Sequence, residues 1–146
     1  MSVATLADLE RLTGRPRNTI LRWMNAIGNV DAKMHSHRYE FGKTAVLHVA
    51  VVDAFRRKMK LKENGHSESI SLRVNGGNLA WYRRIAILLK NNPGARYLIL
   101  LRHRRCSLVC ARSMREVIEI GAKCRGSFHL VDTKELRRKI REVSAK

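Results

Sequence analysis

Two segments of helical apolar periodicity separated by a glycine and a proline set the first constraint on this chain. Leu6, Leu9 and Leu12 recur at three-residue spacing, which marks the buried stripe of a helix. Thr5 precedes them and can cap that helix, with Asp8 in its first turn, where the helix dipole favours an anion. Gly14 ends the helix, and Pro16 suits the first turn of a second one. The second helix is expected to run to about Ala26, with Ile20, Trp23, Met24 and Ile27 on one face and Gly28 as its stop.

Beyond Gly28, residues 30–41 divide into two short extended pieces around Lys33-Met34-His35-Ser36, the pattern of a β-hairpin. A longer helix follows from Thr44 to about Lys62, with Leu47, Ala50, Val51, Ala54 and Phe55 as its apolar face and a basic C-terminal end. Two helices joined by a short turn, then a hairpin, then a third helix, form the pattern of a winged helix-turn-helix. The polar run Glu63-Asn64-Gly65-His66-Ser67-Glu68-Ser69 interrupts the periodicity. The expected organisation is a winged helix-turn-helix unit over residues 1–63, a linker over 64–69, and a basic α/β unit over 70–146.

The second unit alternates. Ile70–Val74 has period-two apolar residues, and Asn78 can cap a helix running to about Lys90. Asn92-Pro93-Gly94 is a strong stop. Strands are expected at Tyr97–Leu101, Ser107–Ala111 and Phe128–Val131, with Arg102 to Arg105 as a hairpin tip. Ser113 with Glu116, and Asp132 with Glu135, open two further helices. The overall class is α+β. The order β-α-β-β-α-β-α contains the split βαβ arrangement of ferredoxin-like domains.

Charge narrows the choice of partner. The 146 residues carry 30 Lys and Arg against 12 Asp and Glu, a net charge of +18. Such a chain repels itself unless a polyanion is near, and duplex DNA, whose counterions Lys and Arg displace, is the densest one. Residues 67–146 hold 18 basic and 6 acidic side chains and residues 1–66 hold 12 and 6, so both parts are cationic. Aromatics make up only 5%, which disfavours RNA, because single-strand recognition leans on stacking. No run approaches 18 apolar residues, and the basic residues are scattered over several elements, so neither a membrane span nor a membrane-surface helix is expected. The first residues have no charged region followed by an apolar one, and no signal peptide is read.

The run Leu9-Glu10-Arg11-Leu12-Thr13-Gly14, followed by Thr19-Ile20 and Trp23, resembles the DNA-binding head of MerR-type regulators. Arg38-Tyr39-Glu40-Phe41 resembles their wing motif. Phage excisionases and small terminase subunits share this head. The resemblance covers about residues 3–60, and Arg22-Trp23 stands where the family has paired aromatics. It implies a winged head in which Arg15, Arg17, Asn18, Thr19 and Arg22 lie on the recognition helix or its entry. Asn18 would read adenine and Arg15 or Arg17 guanine, while Thr19 and Arg22 would hold phosphates. Lys33, His35, His37 and Arg38 would lie on the wing. Trp23, Tyr39 and Phe41 are assigned to the core.

The second unit adds Arg102, Arg104 and Arg105 at the hairpin tip, and Lys134 and Arg138 (with Arg137, Lys139 and Arg141) on the last helix, as further phosphate contacts. Leu136, Ile140 and Val143 form that helix's packed face. A homodimer is expected, since one winged head spans few base pairs, with the apolar strand Tyr97–Leu101 pairing to a second copy. No catalytic role is assigned. A metal nuclease needs convergent carboxylates, but Glu116, Asp132 and Glu135 have capping roles and Glu119 can pair with Lys123 four residues on. His103, Cys106 and Cys110 lack a fourth ligand. Cys106, Cys110 and Cys124 are an odd set of three that fits a reduced, cytosolic chain, and they are assigned as small buried hydrophobes. No cofactor or metal is expected. The expected function is that of a cytoplasmic, nucleoid-associated DNA-binding repressor from a bacterium or phage. The alternatives are an excisionase or small terminase type of protein, or a nuclease built on the second unit.

Overall fold

The computed structural model describes residues 4–28, 32–35, 38–58, 80–102, 106–124 and 127–144; at 32–35, 38–39, 80–81, 102, 106, 127 and 144 the description is of the backbone. The fold is mixed α+β. It runs β1 (Ala4–Thr5), α1 (Leu6–Thr13), α2 (Arg17–Ile27), β2 (Ala32–His35), β3 (Arg38–Phe41), α3 (Lys43–Lys58), α4 (Ala80–Asn91), β4 (Tyr97–Arg102), β5 (Cys106–Ala111), α5 (Met114–Lys123), β6 (Ser127–Asp132) and α6 (Thr133–Ser144). The expected linker at 64–69, the strand at 70–74 and the Asn78 cap lie outside the described residues.

Local signals place the first helices. The Thr5 hydroxyl accepts from the Asp8 N–H at 3.3 Å, and the Asp8 carboxylate accepts from the Thr5 N–H at 2.8 Å, a reciprocal box that satisfies two free donors. That backbone bond holds the Asp8 carboxyl below its usual range. Gly14 closes α1 at φ +69°, a left-handed backbone that glycine adopts without the Cβ penalty. Pro16 sits one position before the first helical residue, at the cap of α2. The hairpin is displaced from the expected turn. Lys33, Met34 and His35 belong to β2, and the last pair is His35 opposite Arg38. No Asn-Gly or Gly marks a tight turn there, so the sequence left its position loose. A three-stranded antiparallel sheet results, in the order β1-β3-β2.

The helix α3 departs most from its expected form. Every residue from Ala45 to Asp53 is buried, where a single apolar face was expected. A helix apolar all round belongs in an interior, and α3 packs against α1, α2, α4, β6 and α6. One cluster of buried apolar side chains therefore joins Leu9, Ile20, Trp23 and Phe55 to Tyr82, Ile85, Leu98, Leu100, Leu108 and Val131.

The second sheet has the order β5-β4-β6, with β4 antiparallel to both neighbours. The strands β5 and β6 are thus parallel, joined through α5, with β4 inserted between them. This is a split crossover, but the inserted strand is the partner of the hairpin and not the candidate strand at 70–74. Alternation along β4 sends Leu98 and Leu100 to the α3 and α4 side, and Tyr97 and Ile99 to the α5 side, where they meet Ala111 and Val117. The Ser113 hydroxyl caps α5 by accepting from the Glu116 N–H at 3.3 Å. The Glu116 carboxylate accepts from the Arg112 N–H, one residue earlier than a capping box would have it. Glu119 pairs with Arg115 at 3.8 Å, not with Lys123. At the start of α6, Asp132 accepts from the Lys134 N–H at 3.0 Å. The Arg96 guanidinium, bonded to it across the strand end, helps to hold its carboxyl below the usual range against the opposing effect of partial burial.

Candidate nucleic-acid interface

The turn between α1 and α2 is held by groups far away in sequence. The Thr13 hydroxyl donates to the Leu9 carbonyl at 2.8 Å and accepts from the Arg15 N–H at 3.1 Å. Asp53 of α3, 8% exposed, accepts from Arg15 Nε and from Arg57 Nε, each at 2.9 Å. Arg57 Nη2 also donates to the Thr13 carbonyl. A buried carboxylate thus has two cationic donors, as its burial requires, and it fastens the turn to α3.

Trp23 extends this support under α2. The guanidinium groups of Arg15 and Arg56 each lie 5.6 Å from its ring centroid, a distance at which the ring quadrupole attracts a cation. Arg56 Nη1 donates to the Tyr82 hydroxyl of α4 at 2.8 Å. The inner face of α2, formed by Thr19, Ile20, Trp23, Met24 and Ile27, is buried, while Arg17, Asn18, Arg22 and Asn25 are exposed. Asn18, Arg22 and Asn25 follow at four- and three-residue steps and share one outward stripe. The sequence of α2 contains no acidic residue, and Arg17 and Arg22 form no ion pair with a described residue.

The expected contact residues therefore separate. Arg17, Asn18 and Arg22 stand together on the open face. Thr19 is 6% exposed and lies on the packed face with Trp23, four residues on, so its hydroxyl is not on the outward stripe. Arg15 is engaged by Asp53 and Trp23, beneath the helix entry. The backbones of Lys33, His35 and Arg38 lie on the hairpin, and His37 is outside the described residues. In the second half, Arg102 ends β4, and Arg104 and Arg105 lie outside the described residues. Lys134 is exposed. Arg138 is exposed but ion-paired with both Glu135 and Glu142. Its hydrogen bond to Glu135 lowers that carboxyl and raises the guanidinium.

Two residues were not singled out by sequence. Arg83 and Arg84 are exposed on α4, which packs against α2. A Cβ placed on Gly28 would lie 3.9 Å from Arg83 Nε, so Arg83 stands beside the end of α2. The stripe Tyr82, Ile85, Leu89 already turns 83 and 84 outward, but nothing local says that α4 adjoins α2.

Other chemistry-bearing groups are dispersed. His48 is 6% exposed, both ring nitrogens lack a hydrogen-bond partner, and burial depresses its pKa. Cys110 packs at the edge of the core. Among the described residues no three of His, Cys, Asp and Glu come together as a metal site requires, and no helix is long and apolar enough to cross a membrane. Neither a protein-family model nor a curated protein matches this sequence.

Proposed function

We propose that this chain is a sequence-specific double-stranded DNA-binding regulator, a repressor, whose winged helix-turn-helix head reads the major groove with α2. The observation that carries this reading is the division of α2. Its inner face is fixed by Asp53, Arg15, Trp23 and Arg56, and its outer face offers Arg17, Asn18 and Arg22 with no acidic neighbour in the helix. The major groove admits one α-helix, and Asn and Arg are the side chains suited to bidentate contacts with adenine and guanine. The β2–β3 hairpin follows α2 and acts as the wing on the flanking backbone. Arg83 and Arg84 extend the cationic surface along α4.

Repression needs only occupancy of a site, and the chain works as a homodimer on two half-sites. A hydrolytic enzyme fits less well. Glu116, Glu119, Asp132, Glu135 and Glu142 are each bonded to a backbone N–H or an arginine, which leaves them poorly arranged to hold a divalent ion together.

The test is selection from a random duplex pool followed by gel-shift titration with competitor duplex, single strands and RNA, with and without magnesium. A recovered duplex motif that survives competition supports the reading. Equal binding to all duplexes, or cleavage that needs magnesium, overturns it.

A further inference from the structure

We infer that the outer face of α5, together with Phe128, is the surface on which two copies of this chain meet. Met114, Ile118 and Phe128 are 47%, 64% and 40% exposed; among the described residues the other exposed large apolar side chain is Ile87, which stands alone on the cationic α4. They form one strip. Met114 and Ile118 are one helical turn apart, Gly121 lies nearly a turn further, and a Cβ on Gly121 would come within 3.0 Å of the Phe128 ring. The strip is about 10 Å long at 1.5 Å per residue. The adjoining face of α5, with Val117 and Ile120, is already packed on the sheet.

Charge identifies the occupant. The helices α2, α3, α4 and α6 carry net charges of +2, +3, +3 and +3, whereas α5 holds Arg115 and Lys123 against Glu116 and Glu119. Two copies at +18 repel over most of their surfaces; α1 is also low in charge, at −1, but shows no exposed large apolar side chain, so among the described helices α5 is where low charge and exposed apolar surface coincide. Arg115 and Glu119 lie on the same flank of the strip and pair within one chain at 3.8 Å. When two α5 helices pair antiparallel about a two-fold axis, this flank faces its own copy. Arg115 then reaches Glu119 of the other chain, and the exchange is reciprocal, as an isologous interface requires.

Two features of the fold agree. The strand Tyr97–Leu101, expected to pair with a second copy, cannot do so through its edges, because β4 is central and bonded on both sides by β5 and β6. And α5 covers the sheet face opposite to α3 and α4, the helices against which α2 packs, so the exposed residues Arg17, Asn18 and Arg22 stay open in the dimer. The inference deepens the dimer named above but does not rest on α2 binding DNA.

Sedimentation equilibrium of the full chain tests it. The expected species is a dimer of 16.8 kDa chains, and it tightens as salt rises towards about 1 M, where the screening length falls to about 3 Å and the repulsion between copies fades. DNA binding has the opposite salt dependence. Ile118→Glu is expected to raise the dimer Kd about tenfold or more with unchanged circular dichroism. Arg115→Glu should weaken the dimer, and Arg115→Glu with Glu119→Arg should restore it. A wild-type chain that stays monomeric at high salt overturns the inference, as does an Ile118→Glu chain that associates like wild type. A chain that dimerises through α5 yet selects no duplex would instead refute the DNA reading alone.

Discussion

The helices α2 and α6 are both cationic and both turn their charges outward, yet the two surfaces differ in kind. The longer, α6, has five basic residues, but Arg138 is held by Glu135 and Glu142 within the same helix. The shorter, α2, has two, Arg17 and Arg22, and no carboxylate in its sequence to neutralise them. Beneath α2 there is a braced platform of Asp53, Arg15, Trp23 and Arg56, and beneath α6 there is the partly buried strip of Leu136 and Ile140. Counting charges would choose α6 as the nucleic-acid surface. Lys134, Arg137, Lys139 and Arg141 of α6 also form no ion pair with a described residue, so α2 is singled out by its lack of carboxylates and by the platform that holds it still.

The largest effect should come from the platform. Asp53→Ala leaves two partly buried arginines without their carboxylate and is expected to cost about 2–4 kcal/mol in urea unfolding. Stability within about 0.5 kcal/mol of wild type would mean that the turn is held by packing alone. Next comes the proposed reading face: Asn18→Ala or Arg17→Ala should lose about 1–3 kcal/mol of binding to a selected duplex and relax one base position. Thr19→Ala, by contrast, should leave the salt slope of DNA binding unchanged, because its hydroxyl faces inward. A shallower slope for Thr19→Ala would return it to the phosphate-contacting set.

Gly14→Ala should lower stability by about 1–2 kcal/mol, since the residue holds φ +69°. The new methyl would also sit 3.3 Å from Arg57 Nη2, so the thermal midpoint of this variant reads how rigid the turn is. His48 supplies a pH test. Its folded pKa is depressed by burial, so its contribution is fully present above the unfolded value of about 6.5 and is lost as pH falls below it. The thermal midpoint should therefore drop between pH 7 and pH 5, and His48→Leu should flatten that drop. The smallest effect belongs to α6. Arg138→Ala should change duplex affinity by less than about threefold, since its charge is already answered by two glutamates. Releasing it, by Glu135→Gln with Glu142→Gln, should strengthen binding to unselected duplex and steepen its salt dependence. If Arg138→Ala instead weakens binding as much as Arg17→Ala, the contrast between the helices fails.

The parts of the fold that were legible in the sequence are those written in adjacent residues. Thr5 with Asp8, Gly14 and Gly28 bounded α1 and α2, and Ser113 opened α5, because a cap is a contact over three or four positions. The open face of α2 followed from the same periodicity. What stayed hidden depends on long-range contacts. Asp53 meets Arg15 across 38 positions, and Arg56 meets Tyr82 across 26. Periodicity on α3 shows a single apolar stripe, whereas packing against α1, α2, α4, β6 and α6 buries the helix all round from Ala45 to Asp53. Thr19 looked like a surface hydroxyl until its place beside Trp23 in the core was known. The position of β6 beside β4 follows from the path of α5 over the sheet, which no strand pattern encodes.

The interior shared by α3, Tyr82 and the second sheet has a practical meaning for how such a molecule is handled and inherited. A fragment ending near residue 63 would carry α3 with one whole side of Val and Ala stripped of cover. It would precipitate, or borrow a surface from something else, before it could be assayed. The helix α2 of this chain is not a detachable cassette, and its use by any other architecture would require the sheet behind it to come along.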